Sequence, residues 1–211
     1  MDRSVLNLIL VHLDADLIVV NKPAGLLSVP GRGVDKQDCV VHRLQAHGHP
    51  EALTVHRLDM ATSGLLLLAR STAAQGALSM AFEARQVGKR YVAVVQGLME
   101  IERGWRQIDL PLLTDWPNRP RQRVDHARGK PSITRWRALS HDATASTTRL
   151  ELEPLTGRTH QLRVHLLAIG HPMLGDALYG PQPPAHARLH LHACHLSLPE
   201  RGLTFDCPPD F

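Results

Sequence analysis

"HRLDMATSGLLLLAR", residues 56–70, sets a charged pair and a small polar turn against the most apolar run of the chain. Leu65–Ala69 has no polar alternation, so it reads as an interior strand covered on both faces. Leu53–Leu58 reads as the strand before it, delivering Asp59 at its end. A carboxylate at the mouth of an interior strand is costly unless it is paired and hydrogen-bonded. Asp59 therefore either shapes a turn or carries chemistry.

Outward from this point the chain alternates strands and helices. Leu6–His12 and Leu17–Asn21 read as a hairpin around an Asp-Ala-Asp turn. Lys22-Pro23-Ala24-Gly25 breaks the second strand, and Pro30-Gly31-Arg32-Gly33 opens a loop. Asp38 is placed to cap a helix through Gln45, with Gly48 past its end. Ser71 caps a helix carrying Leu78, Ala81, Phe82 and Arg85 at helical spacing, and Gly88 is expected to stop it. Tyr91–Val95 is the next strand. "LPLLTDWPNRPRQR" (110–123) reads as a loop, followed by strands near 132–139 and 147–153. "GRTHQLRVHLLAIG" (157–170) reads as a helix with Leu162, Leu166 and Ile169 on one face and Gly170 closing it. One or two further strands fall around Leu189–Leu198. Without a regular βαβ rhythm, repeat or linker, the pattern indicates an α+β protein in a single domain, 1–211.

Composition narrows the class. With 43% hydrophobic and 21% charged residues in 211, the chain has the make-up of a soluble globular protein. Its apolar runs fall far short of the roughly 20 residues of a membrane span. Asn7, His12, Asp14 and Asp16 interrupt the N-terminal apolar stretch, so neither leader nor anchor is expected, and the compartment is read as the cytoplasm. Cys39, Cys194 and Cys207 form no CxxC pair and read as reduced, partly buried thiols. The net charge is +4, yet residues 119–137 alone hold seven basic residues against Asp125. A concentrated basic segment on a near-neutral body points to a polyanion, or else to a solvated loop in an arginine-rich chain.

Fourteen histidines raise the question of a metal. His186, His190, His192 and His195 lie close together, but no carboxylate or second cysteine stands at ligand spacing and HExxH is absent, so ordinary strand histidines are preferred. No dinucleotide fingerprint, phosphate loop or GxSxG elbow occurs. Three Trp, two Tyr and three Phe are too few for a general base-stacking platform.

Four stretches taken together are more specific. "HRLDMATSGLLLLA" resembles the HRLDxxTSG motif of the RluA family of RNA pseudouridine synthases. "KPAG" (22–25), "KRYVAVVQG" (89–97) and "GRTHQLRVHLLAIGHPMLGDALYG" (157–180) resemble that family's other signatures, in the same order. "DWPNRPRQRV" and "GKPSITRW" extend the likeness over nearly the whole chain. The Met-Ala after Asp59, the "DWPNRP" loop and the length resemble the dual-specificity branch, which implies two targets, a 23S rRNA hairpin loop and the tRNA anticodon loop. Many family members carry an N-terminal S4-type domain; this chain is expected to begin at the catalytic domain.

The resemblance implies a pseudouridine synthase fold, a mixed, mostly antiparallel central sheet flanked by helices and loops with a central RNA-binding cleft. It implies an isomerase that needs no cofactor and no metal, acting as a monomer away from membranes. Asp59 is the implied catalytic carboxylate and Arg163 its partner. Tyr91 is expected to stack on the target base, and Arg57 to push into the RNA. Arg119, Arg121, Arg123 and Arg128 are the candidates for phosphate contact. Arg158, His160 and Gln161 are expected to order the pocket, and Thr62, Ser63 and Gly64 to shape the turn.

One carboxylate suits this chemistry. Glycosidases use two because an alkoxide leaving group needs protonation, whereas a uracil anion delocalises its charge over its carbonyls. Asp59 can then act as nucleophile at C1′, as base at C2′, or as nucleophile at C6. Two other readings are a non-catalytic RNA-binding protein of the same fold, and a nucleoside or zinc hydrolase, which would release uracil or bind metal.

Overall fold

Every residue of Ser63–Ala69 is buried, with neighbours on both edges and packing on both faces of the strand. The computed structural model describes residues 8–181 and 186–211. In chain order they form β1 (Ile9–Leu13), β2 (Leu17–Lys22), α1 (Val40–Ala46), β3 (Leu53–Thr54), β4 (Ser63–Ala69), α2 (Thr72–Glu83) and β5 (Gly88–Gln96). Then follow β6 (Arg106–Asp109), β7 (Leu112–Thr114), β8 (Gln122–Val124), β9 (Ile133–Asp142), β10 (Thr147–Pro154), α3 (Gln161–Ala168), β11 (Leu191–Leu198) and β12 (Leu203–Asp206). The chain divides into two units, one of residues up to Lys89 with His192–Asp210, the other of Arg90–Leu191 with Phe211.

In the first unit β2 pairs antiparallel along β4, from Leu17 opposite Ala69 to Lys22 opposite Gly64. The other edge of β4 is shared. β3 takes its end at Leu68 and Ala69, and β11 runs parallel to its start, with His192 beside Ser63 and Ala193 beside Gly64. The two faces of β4 are covered as well, with Leu65 and Leu67 buried on one and Leu66 and Leu68 on the other, so it is apolar throughout instead of alternating. β1 pairs with β2, and β12 with β11. On one face Leu17, Val19, Leu65, Leu67, Leu196 and Phe205 pack against Ala74 and Leu78 of α2, each large side chain contributing about 1.5–3 kcal/mol by its burial.

Three sequence expectations are corrected here. The strand expected over 53–58 stops at Thr54, because the Leu67 N–H that would continue the ladder donates instead to the His56 ring at 3.0 Å. Cys39, not Asp38, caps α1, its sulfur accepting from His42 N; Asp38 instead forks onto Arg43 at 2.7 Å. Ser71 does cap α2, but that helix ends at Glu83 and Arg85 takes a positive φ, while Gly88 opens β5. The expected first strand is Ile9–Leu13, and residues before Leu8 lie outside the described ones.

In the second unit β10 lies between β5 and β9, antiparallel to both, and β6 extends the order beyond β9. The expected loop before β9 contains the hairpin β7–β8, whose three-residue strands are too short to display alternation. Gln161–Leu166 of α3 is buried. The Gln161 amide donates to the Ile133 carbonyl and to Thr134 Oγ1, while its carbonyl accepts from Thr156 and from Arg158 N. The architecture is α+β, with β4 and β11 paired in parallel.

Gly64 is where two backbones approach most closely at a glycine of the first unit. Its φ is +109°, and a Cβ there would lie 2.3 Å from the Ala193 carbonyl oxygen and 2.6 Å from Ala193 N. Gly64→Ala should cost at least about 2–4 kcal/mol, from left-handed strain and a backbone clash together. Urea unfolding of the variant beside wild type measures it, and an unchanged midpoint would contradict the close approach of β4 and β11.

Candidate active site

Asp59 sits in an irregular segment, half-buried between exposed Arg57 and exposed Met60. The residues on either side of it are pinned by the segment Lys22–Ser28. Ser28 Oγ donates to the Leu58 carbonyl at 2.8 Å and accepts from Leu58 N at 3.1 Å, so one hydroxyl replaces a strand partner. Gly25 N donates to the Met60 carbonyl at 2.8 Å, and Thr62 N closes a turn on the Asp59 carbonyl at 3.1 Å. A carboxylate on a loop is thus given a fixed backbone.

Lys22 completes the clamp. Its side chain is fully buried, and Nζ donates to the carbonyls of Leu26 (2.6 Å), Pro23 (3.0 Å) and Met60 (3.1 Å). An ammonium has three protons, and each finds an oxygen. Burial lowers its pKa to about 8, opposed by the attraction of the Asp59 carboxylate. Sequence reading quoted "KPAG" without assigning this lysine a part. A lysine directly before Pro-X-Gly at the end of an apolar strand was the available signal.

His56, the first residue of the motif, is structural. Its Nε2 accepts from Leu67 N, so the ring is neutral with its proton on Nδ1. It stacks on Phe82 at 4.5 Å and 21°. Burial, and then the charge of Lys89, push its pKa down to about 3.

Ser63 and His192 hold the far side of the turn. His192 Nε2 lies 3.0 Å from the Cys207 carbonyl, which can only accept, so Nε2 carries the proton and Nδ1 accepts from Ser63 Oγ at 2.9 Å. With both ring nitrogens engaged, His192 serves the packing of β4 on β11. His195 pairs with Asp206 at 2.7 Å, and His186 packs against His190 with ring centroids 4.9 Å apart.

In the second unit, Arg163 is buried and forks onto Asp176, with Nε to Oδ2 at 2.8 Å and one terminal nitrogen to Oδ1 at 2.6 Å. The same Oδ1 accepts from Leu178 N and Tyr179 N. Burial works against the Asp176 charge, but the Arg163 bonds and these amides hold its pKa below the usual carboxylate range. The Tyr179 ring lies under the guanidinium at 5.0 Å. Its hydroxyl accepts from Gln122 N at 2.8 Å and meets His160 Nδ1 at 2.8 Å. Sequence reading missed Asp176 and Tyr179 as site residues, although both stand in the quoted "GDALYG". Tyr91 lies on β5 opposite Leu152 of β10, half-buried, on the same face as Ala93 and Val95.

The basic segment is less uniform than its charge count. Arg135 pairs with Glu153 at 3.0 Å and Arg137 with Glu151 at 2.6 Å on the sheet. Arg123 and Arg128 share Asp125, at 3.1 and 3.9 Å. Arg121 donates to the Leu178 carbonyl. Arg119 lies over the indole of Trp116 at 4.3 Å, and Trp116 is 65% exposed at the tip of β7–β8. The hairpin base is tied through Gln122 and Arg121 to the 178–179 segment that also holds Arg163.

Comparison with known proteins identifies the family. A family model described as RNA pseudouridylate synthase matches residues 16–168. The dual-specificity RNA pseudouridine synthase RluA of Yersinia pestis is 47% identical over 97% of this chain and 100% of its own. Its namesake in Escherichia coli K12 is 47% identical over 97% of this chain and 94% of its own. Among solved structures, human RNA pseudouridylate synthase domain containing 1 matches with a TM-score of 0.78 and 32% identity, covering 100% of this chain and 86% of that one.

The His56 ring sets an acid limit on stability. Below the ordinary histidine pKa of about 6.5 the unfolded chain takes up a proton that the folded ring refuses, so stability falls as pH drops from there toward about 3. The loss should approach about 1.4 kcal/mol per pH unit in that window. Urea midpoints at stepped pH should show a shallower slope for His56→Gln, which keeps an acceptor but does not titrate; parallel slopes would contradict the assignment.

Proposed function

Because the chain belongs to the RNA pseudouridylate synthase family, we propose that it isomerises uridines in structured RNA with Asp59 as the reacting carboxylate. The chain is an RNA pseudouridine synthase, an isomerase. The observation that supports Asp59 is the clamp around it. Leu58 and Met60 are held by Ser28, Gly25 and Lys22, so a half-buried carboxylate is pre-positioned on a loop that an RNA can approach. The reaction breaks N1–C1′, turns the base and forms C5–C1′, while the hydrogen of C5 is lost and N1 gains one. It balances without a co-reactant.

In this reading Arg163 partners the Asp59 carboxylate in the reacting complex. Asp176 fixes the arginine through two bonds to its guanidinium, and a planar guanidinium matches the geometry of a carboxylate. Tyr91 stacks on the target base, and Arg57, exposed beside Asp59, enters the RNA in support of the extruded nucleotide. Arg119, Arg121, Arg123 and Arg128 contact phosphates, and the exposed Trp116–Arg119 stack offers an unpaired base a surface. The substrates are a 23S rRNA hairpin loop and the tRNA anticodon loop, in keeping with the dual specificity in the relatives' name. The family match runs across both units, which supports taking them as one catalytic domain. We take the enzyme to be a cytoplasmic monomer that works without metal; no helix among the described residues is long and apolar enough to cross a membrane. Mapping pseudouridine in rRNA and tRNA from cells with and without the gene tests the substrates.

Asp59→Asn should abolish product while folding and RNA binding persist, and Arg163→Lys should lose most activity although charge is kept. Tritium release from C5-labelled uridine in RNA measures both. Sustained turnover by the Asn variant, with deamidation excluded by mass, would overturn the role of Asp59.

Affinity should also fall steeply with salt. Each lost phosphate contact should reduce the log–log slope by about 0.7–0.9. Replacing Arg119, Arg121, Arg123 and Arg128 together should weaken target and non-target hairpins alike. Arg57→Ala should instead cut turnover more than it changes the slope. Salt titrations of the two variants separate these roles, and an unaltered slope in the fourfold variant would reduce the segment to a solvated surface.

A further inference from the structure

β11 and β12 run antiparallel with His195 opposite Asp206 and Leu196 opposite Phe205. One step further in that register, Cys194 faces Cys207, and Cys207 N donates to the Cys194 carbonyl at 2.8 Å. Directly opposed residues of an antiparallel pair project to the same side of the sheet. Both thiols therefore share the side of Leu196 and Phe205, and Cys207 packs at the margin of that core. The alternate positions His195 and Asp206 are hydrogen-bonded to each other on the other side. Opposed Cα atoms of a hydrogen-bonded pair are about 5.5 Å apart, within the range that disulfides span, and closure draws the Cβ atoms in from about 5.5 Å to about 4 Å. Both residues are cysteine thiols and half-buried, whereas Cys39 is fully buried.

We propose that Cys194 and Cys207 are a redox-reactive pair that closes to a reversible cross-strand disulfide behind the Asp59 turn. The oxidant is a small-molecule disulfide. The thiolate of one cysteine attacks it and expels one small thiol; the thiolate of the other then breaks the mixed disulfide and expels the second. One S–S bond is made as one is broken, two electrons pass to the oxidant, and the two thiol protons end on the released thiols. Burial and the nearby Asp210 charge hold the Cys207 thiol above the ordinary range, so closure is faster at alkaline pH. The bond joins the catalytic turn to the redox state through two hydrogen bonds. The Cys207 carbonyl receives His192, and His192 receives Ser63, the first residue of β4.

The test uses the full-length protein with oxidised glutathione, followed by thiol titration in denaturant and peptide mapping without reduction. Titratable thiols should fall from three to one, Cys39 remaining. A linked Cys194–Cys207 peptide should appear, and dithiothreitol should reverse it. Cys194→Ser and Cys207→Ser should each stop at a stable glutathione adduct on the surviving partner. Wild-type protein that keeps all its thiols, collects adducts without the cross-link, or links between molecules would overturn the proposal. The wild-type map decides it even where a serine variant folds poorly.

Discussion

A buried ammonium must place all its protons on oxygens, and this requirement organises the ground around Asp59. Lys22 sits inside the protein with carbonyls of residues 23, 26 and 60 around it. Two of these belong to its own turn and the third to the residue after the carboxylate. Satisfying the lysine therefore folds the Pro-Ala-Gly turn onto the loop that carries Asp59. Losing one such partner would strand a buried charge, which is far costlier than losing a surface contact. The Asp59 carboxylate favours the charged lysine and offsets part of the effect of its burial.

The second unit repeats this logic with the charges exchanged. Asp176 is a buried carboxylate that holds a buried guanidinium, and it is itself held by two backbone amides. The amides belong to Leu178 and Tyr179, and those residues grip the base of the basic hairpin through their carbonyl and hydroxyl. The segment 176–179 thus sets the attitude of Arg163 and of the phosphate-contact candidates with one short piece of chain.

Much of this was legible in the residues. Apolar runs gave the interior strand, Ser71 gave the cap of α2, and the ordered motifs gave the family. The parts that were not legible share a physical cause, side chains replacing backbone. The strand over 53–58 failed because a histidine ring took the amide that a ladder would have used, and Cys39 outcompeted Asp38 as a cap once Asp38 had found Arg43. Side-chain substitution of this kind depends on residues far apart in sequence, which periodicity cannot see. Charge counting overstated the basic segment in the same way, because Glu151 and Glu153 lie across the sheet from Arg137 and Arg135. Asp176 and Lys22 lay within quoted motifs, but their value is as counter-charges, and a counter-charge is visible only once its partner is placed.

The clamp on residues 58 and 60 grips main-chain atoms, whereas Arg57 and Met60 turn their side chains outward on either side of Asp59. Under the proposed roles, reactivity and recognition fall to different atoms of the same four residues. Substitutions at 57 or 60 would change exposed side chains while the main-chain bonds at 58 and 60 are retained. With the proposed roles, such a segment could change the RNA shapes it meets while the carboxylate keeps its place, a modularity built at the scale of a single turn.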